Sequence, residues 1–152
     1  MTTYLPSHVG MCVSDLDRSL RFYCDGLGFE KADRHELASE QLPGLEKNLE
    51  VRDDVVLTLQ IIERGDLRIE LLEFREPGVV GSPSQRRNQL GLTHLAFYVD
   101  DVDAAAERML EHGALVLDDT RANLGTDVVF LMDPDGVRIQ LVRGAPPPAG
   151  DA

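Results

Sequence analysis

The sequence predicts an α+β fold built from two tandem βαβββ modules, and two internal repeats are the main observations behind it. The segment 8–17 (His-Val-Gly-Met-Cys-Val-Ser-Asp-Leu-Asp) returns 86 residues later as 94–103 (His-Leu-Ala-Phe-Tyr-Val-Asp-Asp-Val-Asp). The segment 68–71 (Arg-Ile-Glu-Leu) returns 70 residues later as 138–141 (Arg-Ile-Gln-Leu). Each copy therefore opens with a strand histidine and closes with a strand Glu or Gln, and the 152 residues suffice for two such units.

The first module is predicted over residues 1–75. Residues 6–13 form a strand whose alternation places His8, Gly10 and Cys12 on one face. Asp15 or Ser14 caps the following helix. The apolar stripe of that helix, and the glycines that end it, are Leu16, Leu20, Phe22 and Tyr23, then Gly26 and Gly28. A polar strand (29–38), an irregular stretch (39–54) and two apolar strands (55–62 and 67–74) complete the module.

The pattern restarts after a linker predicted over residues 76–90, which is rich in glycine, proline and serine. The second module, 91–144, begins with a strand at 92–99 and a helix capped by Asp101. We expect this helix to bury Ala105, Met109 and Leu110 and to end at Gly113. Strands follow at 114–119, 127–132 and 137–143, the last two joined by the turn Asp-Pro-Asp-Gly at 133–136. The tail 145–152 is predicted to be disordered.

Composition excludes several classes of partner. The net charge of −12 argues against nucleic acid and against anionic membrane surfaces, because both need a basic footprint. No run approaches the roughly 18 apolar residues of a membrane span. Two cysteines are too few for a disulfide framework, so the expected location is the reducing cytoplasm.

Four side chains at repeated positions are candidate metal ligands: His8, Glu70, His94 and Gln140. Glu70 and Gln140 each stand between apolar residues, so each must face a cavity or stay unsatisfied. An isolated carboxylate in apolar surroundings costs several kcal/mol, and a shared divalent cation would be a sufficient partner. The alternative for any single strand histidine is a hydrogen-bonded structural role, and the repetition of the pair favours the metal.

At these residues the sequence resembles the vicinal oxygen chelate superfamily, over roughly residues 5–143. The resemblance is carried by 8–17 with Phe-Tyr at 22–23 and Gly-Leu-Gly-Phe at 26–29, and by 69–72, 93–103, 133–136 and 139–141. It implies paired modules whose curved mixed sheets enclose a cavity with a divalent metal (Zn, Co, Ni, Mn or Fe). The family's ligand positions fall on His8, Glu70, His94 and Gln140. Family members commonly pair, which implies a homodimer.

The resemblance implies an enzyme that acts on a small-molecule carbonyl substrate. A metal-dependent epimerase or isomerase is the first expectation. A glyoxalase I-type lyase, a non-haem iron extradiol dioxygenase and a non-catalytic drug- or metabolite-binding protein are the alternatives. Many glyoxalase-like members carry a basic Glu where this chain has Gln140, and an amide cannot accept a proton near neutral pH.

The base is therefore expected elsewhere. Glu70 is the first candidate, and the first module's extra residues around 34–54 supply His35 and Glu36, then Glu46 and Glu50. His112, beside a helix C-terminus, is expected to be structural. Arg86 and Arg87 are the nearest approach to a cationic cluster for a substrate such as an acyl-CoA thioester.

Overall fold

A computed structural model describes residues 2–146 of the chain. Within these residues the chain divides into two compact units, with the boundary between Gly81 and Ser82. Their boundary falls within the stretch predicted as a linker. From residue 147 onward, the predicted tail lies outside the described residues. None of the helices in the described part is long and apolar enough to cross a membrane.

The first unit contains one four-stranded mixed sheet with the strand order β1-β4-β3-β2. β1 pairs with β4 in parallel, and the remaining neighbours are antiparallel. Its elements are β1 (Val9–Cys12), α1 (Leu16–Leu20) continued by a π-helical segment (Arg21–Gly26), β2 (Glu30–Ala38), α2 (Leu45–Asn48), β3 (Val56–Arg64) and β4 (Leu67–Glu76).

The second unit repeats this topology with the strand order β5-β8-β7-β6 and a parallel β5–β8 pair. Its elements are β5 (Leu95–Val99), α3 (Val102–Leu110), β6 (Leu115–Asn123), β7 (Asp127–Met132) and β8 (Arg138–Arg143). Two mixed four-stranded sheets with few helices confirm the predicted α+β fold class.

Each long helix starts at a predicted aspartate cap. The Arg18 backbone N–H donates to Asp15 Oδ1 at 2.8 Å, and the Ala104 N–H donates to Asp101 Oδ1 at 3.0 Å. Both bonds satisfy an N–H that the first helical turn leaves without a partner. The sequence pattern therefore located the start of both helices.

The two helices pack one apolar side against their own sheet. In the first unit the predicted residues are buried, namely Leu16, Leu20, Phe22 and Tyr23. In the second unit the prediction for Leu110 is wrong, since its side chain is 52% exposed. The buried side of α3 instead consists of Val102, Ala106 and Met109, which follow the four- and three-residue spacing of a helix face.

Several strand boundaries differ from the prediction, and three of the differences affect the site or its surroundings. β1 begins at Val9 and β5 at Leu95, so each repeated histidine directly precedes its strand. β6 extends to Asn123 because its pairing with β7 shifts register between Leu117 and Ala122 and then resumes. The extra residues of the first unit form the connection 39–55, where the second unit has only 124–126 between the corresponding strands.

The predicted turn at 133–136 holds the start of β8 through a buried carboxylate. Asp133 Oδ1 accepts from the backbone N–H groups of Asp135 at 2.9 Å and Val137 at 2.8 Å.

The Asp133→Ala substitution leaves both donors without this partner, and we expect it to lower the free energy of unfolding by about 2–3 kcal/mol. Urea denaturation checks the value, with the exposed turn residue Asp66→Ala as a control expected to change it by less than about 0.5 kcal/mol. Equal effects of the two substitutions would contradict this account.

Candidate metal centre

Glu70 extends from the side of its sheet opposite α1. Its neighbours Ile69 and Leu71 are fully buried, whereas the Glu70 side chain is 19% exposed. The parallel register pairs Gly10 with Glu70, which brings the first and last strands of the unit side by side at this point. Strand alternation then puts the side chain of His8, two residues before Gly10, on the same side. Sequence positions 62 residues apart therefore meet.

His8 and Glu70 form a close pair. His8 Nε2 lies 3.4 Å from Glu70 Oε2, and Ser7 Oγ lies 2.9 Å from His8 Nδ1. Because Nδ1 is engaged by the hydroxyl, Nε2 is the nitrogen available beside the carboxylate. A Cβ added at Gly10 would lie 4.0 Å from Glu70 Oε2, in ordinary van der Waals contact, and the second unit has Ala96 beside Gln140.

In the second unit an amide, Gln140, occupies the strand position that corresponds to Glu70. Gln140 pairs with Ala96 on one side and with Phe130 on the other. The His94 ring meets the Phe130 ring edge-on, with centroids 5.2 Å apart and planes at 89°. Thr93 Oγ1 lies 2.7 Å from His94 Nδ1. Gln140 and His94 are thus both adjacent to Phe130, and Nε2 is again the free nitrogen.

Two contributors to this site were missed from the sequence. Ser7 and Thr93 both carry a hydroxyl and are separated by 86 residues, the offset that relates the two histidines. Each hydroxyl engages the Nδ1 atom of the next residue, which fixes ring orientation in the way that outer partners of metal-bound histidines do. The repeated hydroxyl-histidine dipeptide was the signal that could have revealed them.

His35 lies on the Glu70 side of the first sheet. His35 pairs with Leu59, and Leu59 pairs with Leu72, which is two residues beyond Glu70 on the same strand. Paired residues and residues two apart share a face, so His35 and Glu70 extend from the same side. The structure therefore leaves His35 on the face where a site residue is expected.

Glu36 lies on the other face, because successive strand residues alternate. It pairs with Thr58, whose hydroxyl donates to Glu36 Oε2 at 2.8 Å, and Arg75 and Arg34 contact the same carboxylate. The Thr58 hydrogen bond, with smaller contributions from the two arginines, lowers the pKa of Glu36. The structure does not bring Glu36 to the face that carries Glu70, which disfavours Glu36 as the alternative base.

The remaining candidates are peripheral. Glu46 lies in the short helix α2 and Glu50 follows it, both within the connection 39–55. His112 follows α3, where its backbone N–H donates to the Met109 carbonyl at 3.1 Å. The structural role of the His112 side chain stays a prediction.

The residues present fit a divalent metal of the zinc or iron type. Imidazole nitrogen, carboxylate oxygen and amide oxygen are suitable donors, and in the first unit two of them converge on one space. Among residues 2–146, no three side chains of His, Cys, Asp or Glu are grouped closely enough to hold a metal ion. The structure thus gives one candidate pair in each unit, and the complete set of four ligands stays a prediction.

Comparisons with known proteins identify relatives that match most of the chain. The chain is 32% identical over 137 residues to the uncharacterized protein YaeR of Escherichia coli (strain K12), covering 88% of this chain and 92% of that protein. It is 29% identical over 155 residues to a 2-epi-5-epi-valiolone epimerase of Actinomyces sp, covering 91% and 80%. A crystal structure of a glyoxalase family protein from Bacillus cereus superposes with a TM-score of 0.77 at 21% identity, covering 94% and 95%.

The family assignment rests on nearly the whole chain. Residues 6–141 match the model of the Glyoxalase/Bleomycin resistance protein/Dioxygenase superfamily. That range contains all four candidate ligands and most of both modules. The chain is a member of the Glyoxalase/Bleomycin resistance protein/Dioxygenase superfamily.

Proposed function

We propose that this protein is a metal-dependent epimerase or isomerase that moves a proton at the carbon next to a carbonyl group of a small metabolite. The observation that carries the proposal is the repeated ligand pattern. In each unit a hydroxyl group orients a histidine at the start of the first strand, and an oxygen donor, Glu70 or Gln140, stands on the adjacent last strand. The similarity to a 2-epi-5-epi-valiolone epimerase supports the choice of epimerisation.

The proposed ligands of one divalent cation are His8, Glu70, His94 and Gln140. Bound there, the cation would supply Lewis-acid polarisation of the carbonyl oxygen and offset the negative charge that develops on it. Two neutral imidazoles and a neutral amide leave Glu70 as the single anionic ligand. The site therefore retains a net charge of about +1, which favours an anionic transition state.

Glu70 is the proposed base. Gln140 cannot take up a proton, and Glu36 extends from the wrong face of its sheet. Glu70 combines a carboxylate with partial exposure on the face that also carries His8 and His35. Inversion also needs an acid that returns a proton to the opposite side of the substrate carbon. His35 is the proposed acid.

Hydrogen exchange in D₂O tests this function. With a panel of 2-hydroxy ketones, 2-oxo acids and cyclic polyhydroxy ketones, the protein should exchange the α-hydrogen of at least one compound for deuterium, as read by proton NMR. Glu36→Gln should leave the exchange rate unchanged, because Glu36 is on the other face. Oxygen consumption that requires ferrous iron, without exchange, would replace this proposal by the dioxygenase alternative.

The other expectations from the resemblance stay predictions. A homodimer is expected, and a particle near 17 kDa in sedimentation at micromolar concentration would contradict it. The cytoplasmic location also stays a prediction.

A further inference from the structure

We propose that Arg138 and Arg87 bind an oxyanion group of the substrate, a carboxylate or a phosphate monoester, beside Gln140. The inference rests on the proposed function only for the position of the substrate's carbonyl group. Two sets of observations support it: the hydrogen-bond partners of two arginines in the second unit, and a comparison of the two modules.

Arg138 is a buried cation without an acidic partner. It lies two residues before Gln140 on β8, and the two side chains share one face of the strand. The residue is only 9% exposed, and its guanidinium donates to the Gly136 carbonyl at 2.9 Å and to Gln85 Oε1 at 3.4 Å. Both acceptors are neutral. Within the described residues no carboxylate forms an ion pair with Arg138.

The equivalent arginine of the first module has an acidic partner. Arg68 corresponds to Arg138 at the offset of 70, and its Nε lies 2.8 Å from Glu63 Oε1 on the neighbouring strand. Glu63 pairs with Arg68 in the sheet just as Met132 pairs with Arg138. The second module thus keeps the arginine and has methionine where the first has the neutralising carboxylate.

Arg87 adds a second guanidinium to the same region. It donates to the backbone carbonyls of Ser84 and Thr93, and Thr93 is the residue whose hydroxyl engages His94. Arg138 donates to Gln85 and Arg87 donates to the carbonyl of Ser84, so the two guanidinium groups are held by adjacent residues of one loop. Arg87 likewise has no carboxylate partner in the described part of the chain. Two close cations without an anion repel one another, and a bound anion would relieve that repulsion.

The chemistry of guanidinium groups identifies the ligand. Arginine presents N–H groups in a planar fork that matches carboxylate and phosphate oxygens, so paired arginines select oxyanions. A chain with a net charge of −12 otherwise repels such a substrate, which makes a local cationic site necessary. The Cα atoms of Arg138 and Gln140 are about 7 Å apart along the strand. A substrate with its oxyanion a few bonds from its carbonyl group would span that distance.

Anion binding to the purified full-length protein tests the proposal. The probes are inorganic phosphate and acetate, titrated at constant ionic strength by isothermal calorimetry because salt screens these interactions. In Met132→Glu, both arginines remain but Arg138 gains the partner that Arg68 has. We expect at least tenfold weaker phosphate or acetate binding in Met132→Glu and in Arg138→Met, and no change in the matched control Arg68→Met.

The outcomes separate the possibilities. Tighter binding of phosphate indicates a phosphorylated substrate, and tighter binding of acetate indicates a carboxylate. Equal binding by wild type, Arg138→Met and Met132→Glu, or no binding by the wild type, would overturn the proposal. Thermal unfolding verifies that Met132→Glu is folded, and any unfolded variant is replaced by Arg87→Gln with the same expected loss. Because the probes are not turned over, anion binding without α-hydrogen exchange would refute the proposed function and leave this site standing.

Discussion

Replacing His8 or His94 by alanine is expected to reduce bound divalent metal from one ion per chain to a small fraction of that value. Each substitution removes one imidazole from the proposed ligand set, and loss of even an outer partner commonly lowers metal affinity by about 10–100-fold. Elemental analysis after dialysis against metal-free buffer measures the stoichiometry. Ser7→Ala and Thr93→Ala should have smaller effects in the same direction, since each removes only the hydroxyl contact to Nδ1.

The control for this experiment is His112→Ala, which removes a histidine at the end of α3 and should leave the metal content unchanged. Unchanged stoichiometry in both His8→Ala and His94→Ala would refute the proposed centre. Loss in one variant alone would restrict the site to that histidine's own unit.

The second large effect is expected from Glu70→Gln. This substitution keeps an oxygen donor, as Gln140 already does in the other module, but removes the only carboxylate among the four proposed ligands. General base catalysis typically contributes about 10²–10⁴-fold, so α-hydrogen exchange in D₂O should fall by at least about a hundredfold. Part of the metal should remain bound, which elemental analysis of the same sample measures.

His35→Gln is the informative companion to Glu70→Gln. Both residues extend from one face of the first sheet. If His35 is the second proton-transfer group, replacing it should slow inversion of the substrate more than it slows α-hydrogen exchange. Full exchange activity in Glu70→Gln would show that the base is another residue. Loss of exchange in Glu36→Gln would contradict the face assignment.

The fold could be predicted from sequence because its determinants are local or repeated. The caps Asp15 and Asp101 and the turn at 133–136 depend on a few adjacent residues, and the structure has all three where they were expected. The first and last strands of each module were recognisable because they occur twice. Leu110 was misplaced because few positions of α3 are strongly apolar, so the sequence defines its buried side only to within one residue.

The candidate site was predictable only in part. His35 and Glu36 are adjacent in sequence, and which of them shares a face with Glu70 depends on register, which shifts between Lys31 and Arg34. Nothing in the sequence distinguished the adjacent linker residues Arg86 and Arg87. Only the tertiary structure brings Arg87 and Arg138, 51 residues apart, to the adjacent residues Ser84 and Gln85, and it leaves Arg86 exposed.

The parallel pairing of first and last strands has a consequence for how the chain acquires its site. In the first unit the His8–Glu70 pair closes a loop of 62 residues, and the ladder between β1 and β4 cannot form until β4 has been made. Contacts so distant in sequence form late, after the local hairpin of β3 and β4. A nascent chain that ends before residue 70 therefore holds no ligand pair. Each pair of proposed ligands is thus assembled only in a completed module, and the proposed set of four needs both modules.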